Sequence, residues 1–152
     1  MQYSHFRISK LVLIGSVAGA AGFNIPASAT TISSLICPAS IPETSIQLDP
    51  VPAGWTAYIA SPLYLNSAEP TDGPPQLKGE LLPTAERKAK EQTTFIYQLQ
   101  GPFPDGKWLQ CSYGEYGQVA LARRLDDSIG RCEVSYKKGG KAGQNEIGID
   151  CR

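Results

Sequence analysis

Along the C-terminal half of the chain, apolar and polar residues alternate with a period of two, the pattern of strands that bury one face. Thr93 to Leu99 is the clearest case: Phe95, Tyr97 and Leu99 alternate with Thr94, Ile96 and Gln98 until Gly101-Pro102-Phe103-Pro104-Asp105-Gly106 stops the run. Lys107 to Tyr113 and Gln118 to Leu125 form a predicted hairpin around Gly114-Glu115-Tyr116-Gly117, with Leu109, Cys111 and Tyr113 facing Val119, Leu121 and the stem of Arg123. Arg131 to Lys137 and Glu146 to Arg152 form a second, closed by a loop containing Gly139, Gly140 and Gly143. In that hairpin Val134 stands opposite Ile149 and Tyr136 opposite Ile147. After residue 29 no 11-residue window shows a 3.6-residue period, and no internal repeat aligns.

The N-terminal half is less regular. Residues 30–54 carry Pro38, Pro42, Pro50 and Pro52 and read as an extended arm, with room for a short strand at Ser45 to Leu48 away from any sheet centre. Trp55 to Ala60 alternates and Leu63 to Asn66 follows, which predicts a hairpin or meander. Glu69-Pro70-Thr71-Asp72-Gly73-Pro74-Pro75 reads as an ordered turn. Gln76 to Leu82 is placed as a strand, and the polar stretch Thr84 to Gln92 as a helical turn or solvated loop. The expected fold is therefore all-β: one small antiparallel sheet or sandwich-like domain over residues 30–152, with a C-terminal meander and two disulfides.

The first residues carry a different signal. His5, Arg7 and Lys10 precede an apolar, small-residue run from Leu11 to Gly22, and Ala27-Ser28-Ala29 suits a signal peptidase. Residues 1–29 are read as a secretory signal peptide, which makes the product periplasmic or secreted. The apolar run is about a dozen residues, short of the roughly 20 a spanning helix needs, so no permanent membrane anchor is expected. Leu35-Ile36 ahead of Cys37 also argues against a lipoprotein, whose peptidase wants a small residue there. Cleavage removes the single His, and with it Ser-His and Cys-His nucleophile systems and His-ligated zinc.

Four cysteines remain, Cys37, Cys111, Cys132 and Cys151, an even number that in an exported protein reads as two disulfides. Their spacings of 74, 21 and 19 residues lack the paired knuckles of a zinc site. Three pairings are open by count. The C-terminal hairpin register sets Cys132 opposite Cys151, where opposed Cα atoms are about 4.5–5.5 Å apart and within disulfide reach. That pairing is favoured, leaving Cys37 to Cys111.

Composition narrows the function classes. Lys+Arg and Asp+Glu each number 14 in 152 residues, and without residues 1–29 the basic count falls to 12. Such a chain lacks the basic stripe that binding nucleic acid requires. No cofactor and no metal are expected, and no catalytic residue is assigned. Asp126-Asp127 with Glu115 could form a carboxylate pair near one end of the sheet, although adjacent aspartates more often build turns. Gly139-Gly140-Lys141-Ala142-Gly143 has Ala142 where a phosphate loop needs Ser or Thr. Tyr116, Glu115, Arg124, Asp126 and Asp127 are the candidate partner-binding residues, because Tyr and Arg supply much of the contact energy at protein interfaces. Trp55 and Trp108 are read as sheet-covering residues, with sugar stacking as the alternative use.

Cys37-Pro38, Gly54-Trp55, Asp72-Gly73-Pro74-Pro75, Leu82-Pro83, Trp108-Leu109-Gln110-Cys111-Ser112-Tyr113, Leu121 to Leu125, Arg131-Cys132, Tyr136 and Cys151-Arg152 come in an order that resembles a family of small exported proteobacterial proteins, the STY family of hypothetical proteins. The resemblance implies a periplasmic, disulfide-bonded protein and brings no catalytic residues with it. In size, export and cysteine-bearing strands the chain is also similar, more distantly, to periplasmic lysozyme inhibitors and to immunity proteins of interbacterial toxins. The expected function is a non-enzymatic periplasmic binding protein, an inhibitor or immunity protein acting on a cell-wall-directed enzyme. The alternative is a small envelope glycan-binding protein or a carboxylate-based hydrolase.

Overall fold

The computed structural model describes residues 35–152, so the signal segment expected over residues 1–29 lies outside the described residues. Among the described residues eight strands run in chain order: β1 Ser40–Ile41, β2 Leu63–Asp72, β3 Ala85–Lys88, β4 Thr93–Gln98, β5 Lys107–Tyr113, β6 Val119–Arg124, β7 Arg131–Lys138 and β8 Asn145–Cys151. They form two four-stranded antiparallel sheets, ordered β1-β2-β5-β6 and β3-β4-β7-β8. The all-β class is as expected. The C-terminal strands, however, are shared between the sheets: β4 pairs with β7, and the β5–β6 hairpin belongs to the other sheet.

Both hairpins have the register that alternation predicts. Leu109 stands opposite Arg123, Cys111 opposite Leu121 and Tyr113 opposite Val119. In the second hairpin Val134 stands opposite Ile149, Tyr136 opposite Ile147 and Cys132 opposite Cys151. The inward residues of both sheets join in one apolar cluster that includes Leu65, Ala68, Tyr97, Leu109, Tyr113 and Val134. Phe95 meets Tyr136 edge to face inside it, with ring centroids 5.6 Å apart. Both favoured disulfides are present, Cys37–Cys111 with Cα atoms 5.9 Å apart and Cys132–Cys151 at 4.1 Å.

The departures from expectation lie in β2 and β3. Residues 63–72 form one ten-residue strand that takes in Glu69 to Asp72, the first four residues of the stretch read as a turn. A bulge explains why alternation hid it: Leu65 pairs with Tyr113 and Ser67 with Ser112, so Asn66 is an extra residue. Inward positions change parity there, from Leu65 to Ala68 and Pro70. Pro70 is tolerated inside the strand because donors of its parity point away from β5. The Ala68 N–H meets the Tyr136 hydroxyl, and the Asp72 N–H meets the Gly79 carbonyl at 2.8 Å. Gly79 has to be glycine, since a Cβ there would lie 2.0 Å from the Asp72 carbonyl oxygen. The predicted strand at Gln76 to Leu82 is instead a 3-10 turn at Pro75–Leu77 and a single bridge from Thr71 to Glu80. The stretch read as a helical turn holds β3, an exposed edge strand whose Glu86, Arg87 and Lys88 discourage further strand pairing.

The arm also differs from its reading. Its strand is β1, which pairs with Leu63 and Tyr64 of β2, while Glu43–Ser45 is a 3-10 turn. Residues 55–60 contain no strand.

Candidate functional site

Strand direction sorts the connections into two groups. Residues 42–62 join Ile41 to its partner Leu63, and residues 114–118 join Tyr113 to its partner Val119. Leu65 pairs with Tyr113, and the Gly114 N–H meets the Tyr64 carbonyl at 2.9 Å, so these two loops leave the same end of the first sheet. The β7–β8 loop joins them. Freed by the bulge, the Asn66 side chain donates to the Gly143 carbonyl at 3.0 Å, and the Asn145 amide donates to the Asn66 carbonyl at 2.6 Å. Gly143, at φ +68°, approaches so closely that an added Cβ would lie 3.1 Å from the Glu115 Cα. Three loops therefore converge at one end.

Two of the loops that leave this end expose large apolar and aromatic side chains. Tyr116 is 82% exposed, Trp55 77% and Tyr58 85%, with Leu48 and Val51 also exposed nearby in sequence. An open groove of about 460 Å³ runs along the arm between Ile46, Leu48, Ala57, Tyr58 and Ile59. The Gln118 side-chain oxygen accepts from the Tyr116 N–H at 3.3 Å, holding the β5–β6 turn while leaving the phenol ring outside.

The opposite end is built differently. From Tyr113 to Trp108 the hairpin climbs five residues, roughly 17 Å at strand rise, to the Trp108–Arg124 pair. There Lys107 is buried; its ammonium donates to the carbonyls of Asp127 at 2.8 Å and Ile129 at 2.6 Å and lies 5.4 Å from the Phe103 ring centroid. Asp126 accepts from the Ser128 N–H at 2.8 Å and from its hydroxyl, forming an Asx turn, and these bonds hold its carboxyl below the usual range. Arg124 reaches Asp127 at 3.4 Å.

The candidate residues are thus divided: Tyr116 and Glu115 at the loop end, Arg124, Asp126 and Asp127 at the braced end. The carboxylate grouping of Glu115 with Asp126 and Asp127 near one end of the sheet does not form, because the β5–β6 hairpin separates them. Asp126 has its turn role and Asp127 its arginine.

Trp55 is corrected outright. It lies exposed on the arm, whereas Trp108 is half-buried and donates its indole N–H to the Asp105 carbonyl at 3.1 Å. Trp55, Tyr58 and Leu48 are site residues that alternation concealed, since it placed the first two on a strand. The prolines on both sides of Leu48 and Val51 are the signal that argued for the arm.

A further polar cluster lies on the outer face of the second sheet. Glu133 accepts from Arg131 at 2.6 Å and from Arg87, with Arg152 at 3.7 Å, and its carboxyl is held low by the Arg131 hydrogen bond above all. No helix among the described residues is long and apolar enough to cross a membrane.

No curated protein and no solved structure matches the chain. The family model for the Type VI secretion system Tli immunity protein matches residues 60–152, from just ahead of β2 to the last residue. That match spans more than half of the chain, both sheets apart from β1, and two of the three loops that leave the same end, and on it the chain belongs to the Type VI secretion system Tli immunity protein family.

Proposed function

We propose that this protein protects its cell by binding a type VI secretion toxin in the periplasm and blocking it, with no chemistry of its own. The loop end is the contact face in this reading. The observation that carries it is that three loops leave one end of a disulfide-held scaffold and that two of them expose Trp55, Tyr58 and Tyr116 to solvent. Large amphipathic rings supply contact area at low entropic cost, and such rings dominate binding energy at protein interfaces. Glu115 lies within this face, and Arg124, Asp126 and Asp127 lie outside it.

The toxin is taken to be an enzyme directed at the cell envelope, the cell-wall-directed enzyme expected from sequence being one such target. Export by residues 1–29 would bring the two together, because an immunity protein must share its toxin's compartment.

Co-expression with each type VI effector of the producing cell, both partners sent to the periplasm, tests the reading. Rescue of growth by one pairing, with a stoichiometric complex of the purified partners, is the expected result. Rescue of none, or turnover of a glycan or wall substrate by the purified protein alone, would overturn it and favour the hydrolase or glycan-binding alternative.

A further inference from the structure

The arm has a charge pattern of its own. From Leu35 to Leu77 the chain carries no Lys, Arg or His, while Glu43 and Asp49 lie on the arm itself. The groove between Ile46, Leu48, Ala57, Tyr58 and Ile59 is apolar apart from Glu43, Thr44 and Gln47, so Glu43 is the one charge among its lining residues. Tyr58, one of its lining residues, is largely exposed, and Trp55 is exposed on the same arm. The arm is also an ordered attachment: Cys37 ties its start to Cys111 in the middle of β5, and β1 fastens it to the edge of β2. Residues 35–59 lie ahead of the stretch that the family model matches.

From this we infer that the arm is the specificity element of the contact face, and that its groove takes an apolar segment of the toxin bearing at least one Lys or Arg. The inference rests on the proposed function. Its physical basis is complementarity. An aromatic, aliphatic groove favours apolar side chains, and an arm that carries carboxylates and no cation attracts a cationic segment and repels an acidic one. Like charge set against such a surface is what turns binding into discrimination among related toxins.

The probes are overlapping 15-residue peptides tiled across the toxin that the protein neutralises, titrated against the exported, disulfide-intact Trp108→Phe protein, whose tryptophan fluorescence comes from Trp55 alone. Peptides combining apolar residues with Lys or Arg should shift that fluorescence, and higher salt should weaken them. Tyr58→Ala should weaken the whole-toxin complex about tenfold or more, with an unchanged melting temperature because the ring is 85% exposed. Glu43→Gln with Asp49→Asn should weaken it about threefold and flatten its salt dependence. Binding confined to acidic or uncharged peptides would overturn the inference. So would an intact whole-toxin affinity in Tyr58→Ala alongside a weakened one in Tyr116→Ala, and that outcome leaves the contact face standing. A wild-type protein that neutralises no toxin sinks the parent reading, which is a different result.

Discussion

The two ends of the molecule use the same strands and differ in what the connections do with their polar groups. At the braced end the connection after β6 is tied back to the sheet: the Lys107 ammonium holds two of its carbonyls, Asp126 closes a turn on Ser128, and Cys132–Cys151 joins the adjoining strand ends. At the loop end the polar groups near the backbone are also satisfied, through Asn66, Asn145 and Gln118, yet the large rings point outward. Exposed rings at a hydrogen-bonded, covalently anchored end do not help the fold. They hold apolar area ready for a partner at little ordering cost, which is what binding requires. A surface charge pair such as Arg124–Asp127 contributes little either to folding or to affinity.

The largest expected effect sharpens the contrast between the two bridges. Cys37→Ser with Cys111→Ser opens the 74-residue separation, which the chain-entropy model values at roughly 4.5 kcal/mol. It should also release the arm, so stability and toxin affinity fall together. Cys132→Ser with Cys151→Ser opens the 19-residue separation at roughly 3 kcal/mol and should leave affinity nearly intact under folding conditions. Denaturant midpoints with calorimetric affinity for both double variants check this. Either single variant of the second pair leaves an unpaired thiol and should behave worse than the double.

Next come two substitutions of similar size and opposite character. Lys107→Met removes a charged donor from two carbonyls and should cost about 2 kcal/mol of stability, seen as a lower melting temperature with toxin affinity unchanged. Tyr116→Ala should do the reverse, costing about 2 kcal/mol of affinity, roughly thirtyfold, at constant melting temperature. Asp126→Asn with Asp127→Asn is the control at the braced end, and its association rate should match wild type. If that pair slows association while Tyr116→Ala does nothing, the ends have been assigned the wrong way round.

How much of this the chain disclosed can be traced residue by residue. The β5–β6 and β7–β8 hairpins were legible because Leu109, Cys111, Tyr113, Cys132, Val134 and Tyr136 keep strict alternation over glycine-bearing turns. The β7–β8 register supplied the Cys132–Cys151 pairing, and Cys37–Cys111 followed by elimination. β2 was illegible as one strand because the bulge at Asn66 changes the parity of the inward face and Pro70 resembles a terminator. β3 lacks an apolar face altogether, so no periodicity could mark it. The site was half legible. Composition could nominate Tyr116, but loops distant in sequence meet at Glu115 and Gly143 through tertiary contacts that no local pattern encodes.

The smallest expected effect belongs to neither end. Burial, and then the nearby Glu80, push the Glu69 carboxyl above its ordinary value. An acid whose folded value is raised is held charged at a cost at neutral pH, and that cost disappears as pH falls below the carboxylate range. Glu69→Gln should therefore raise the melting temperature at pH 7 by roughly 1–3 °C, with the gain vanishing near pH 3. Thermal scans across that range check it, and affinity should not change.

Hydrogen–deuterium exchange on the free protein and on its complex with the neutralised toxin tests the central claim most directly, because it reads both ends in one experiment. The account expects slowed exchange at residues 42–62, 114–118 and 139–144, and unchanged exchange at residues 99–106 and 125–130. Protection concentrated at the latter two connections, with the three converging loops unaffected, would contradict it.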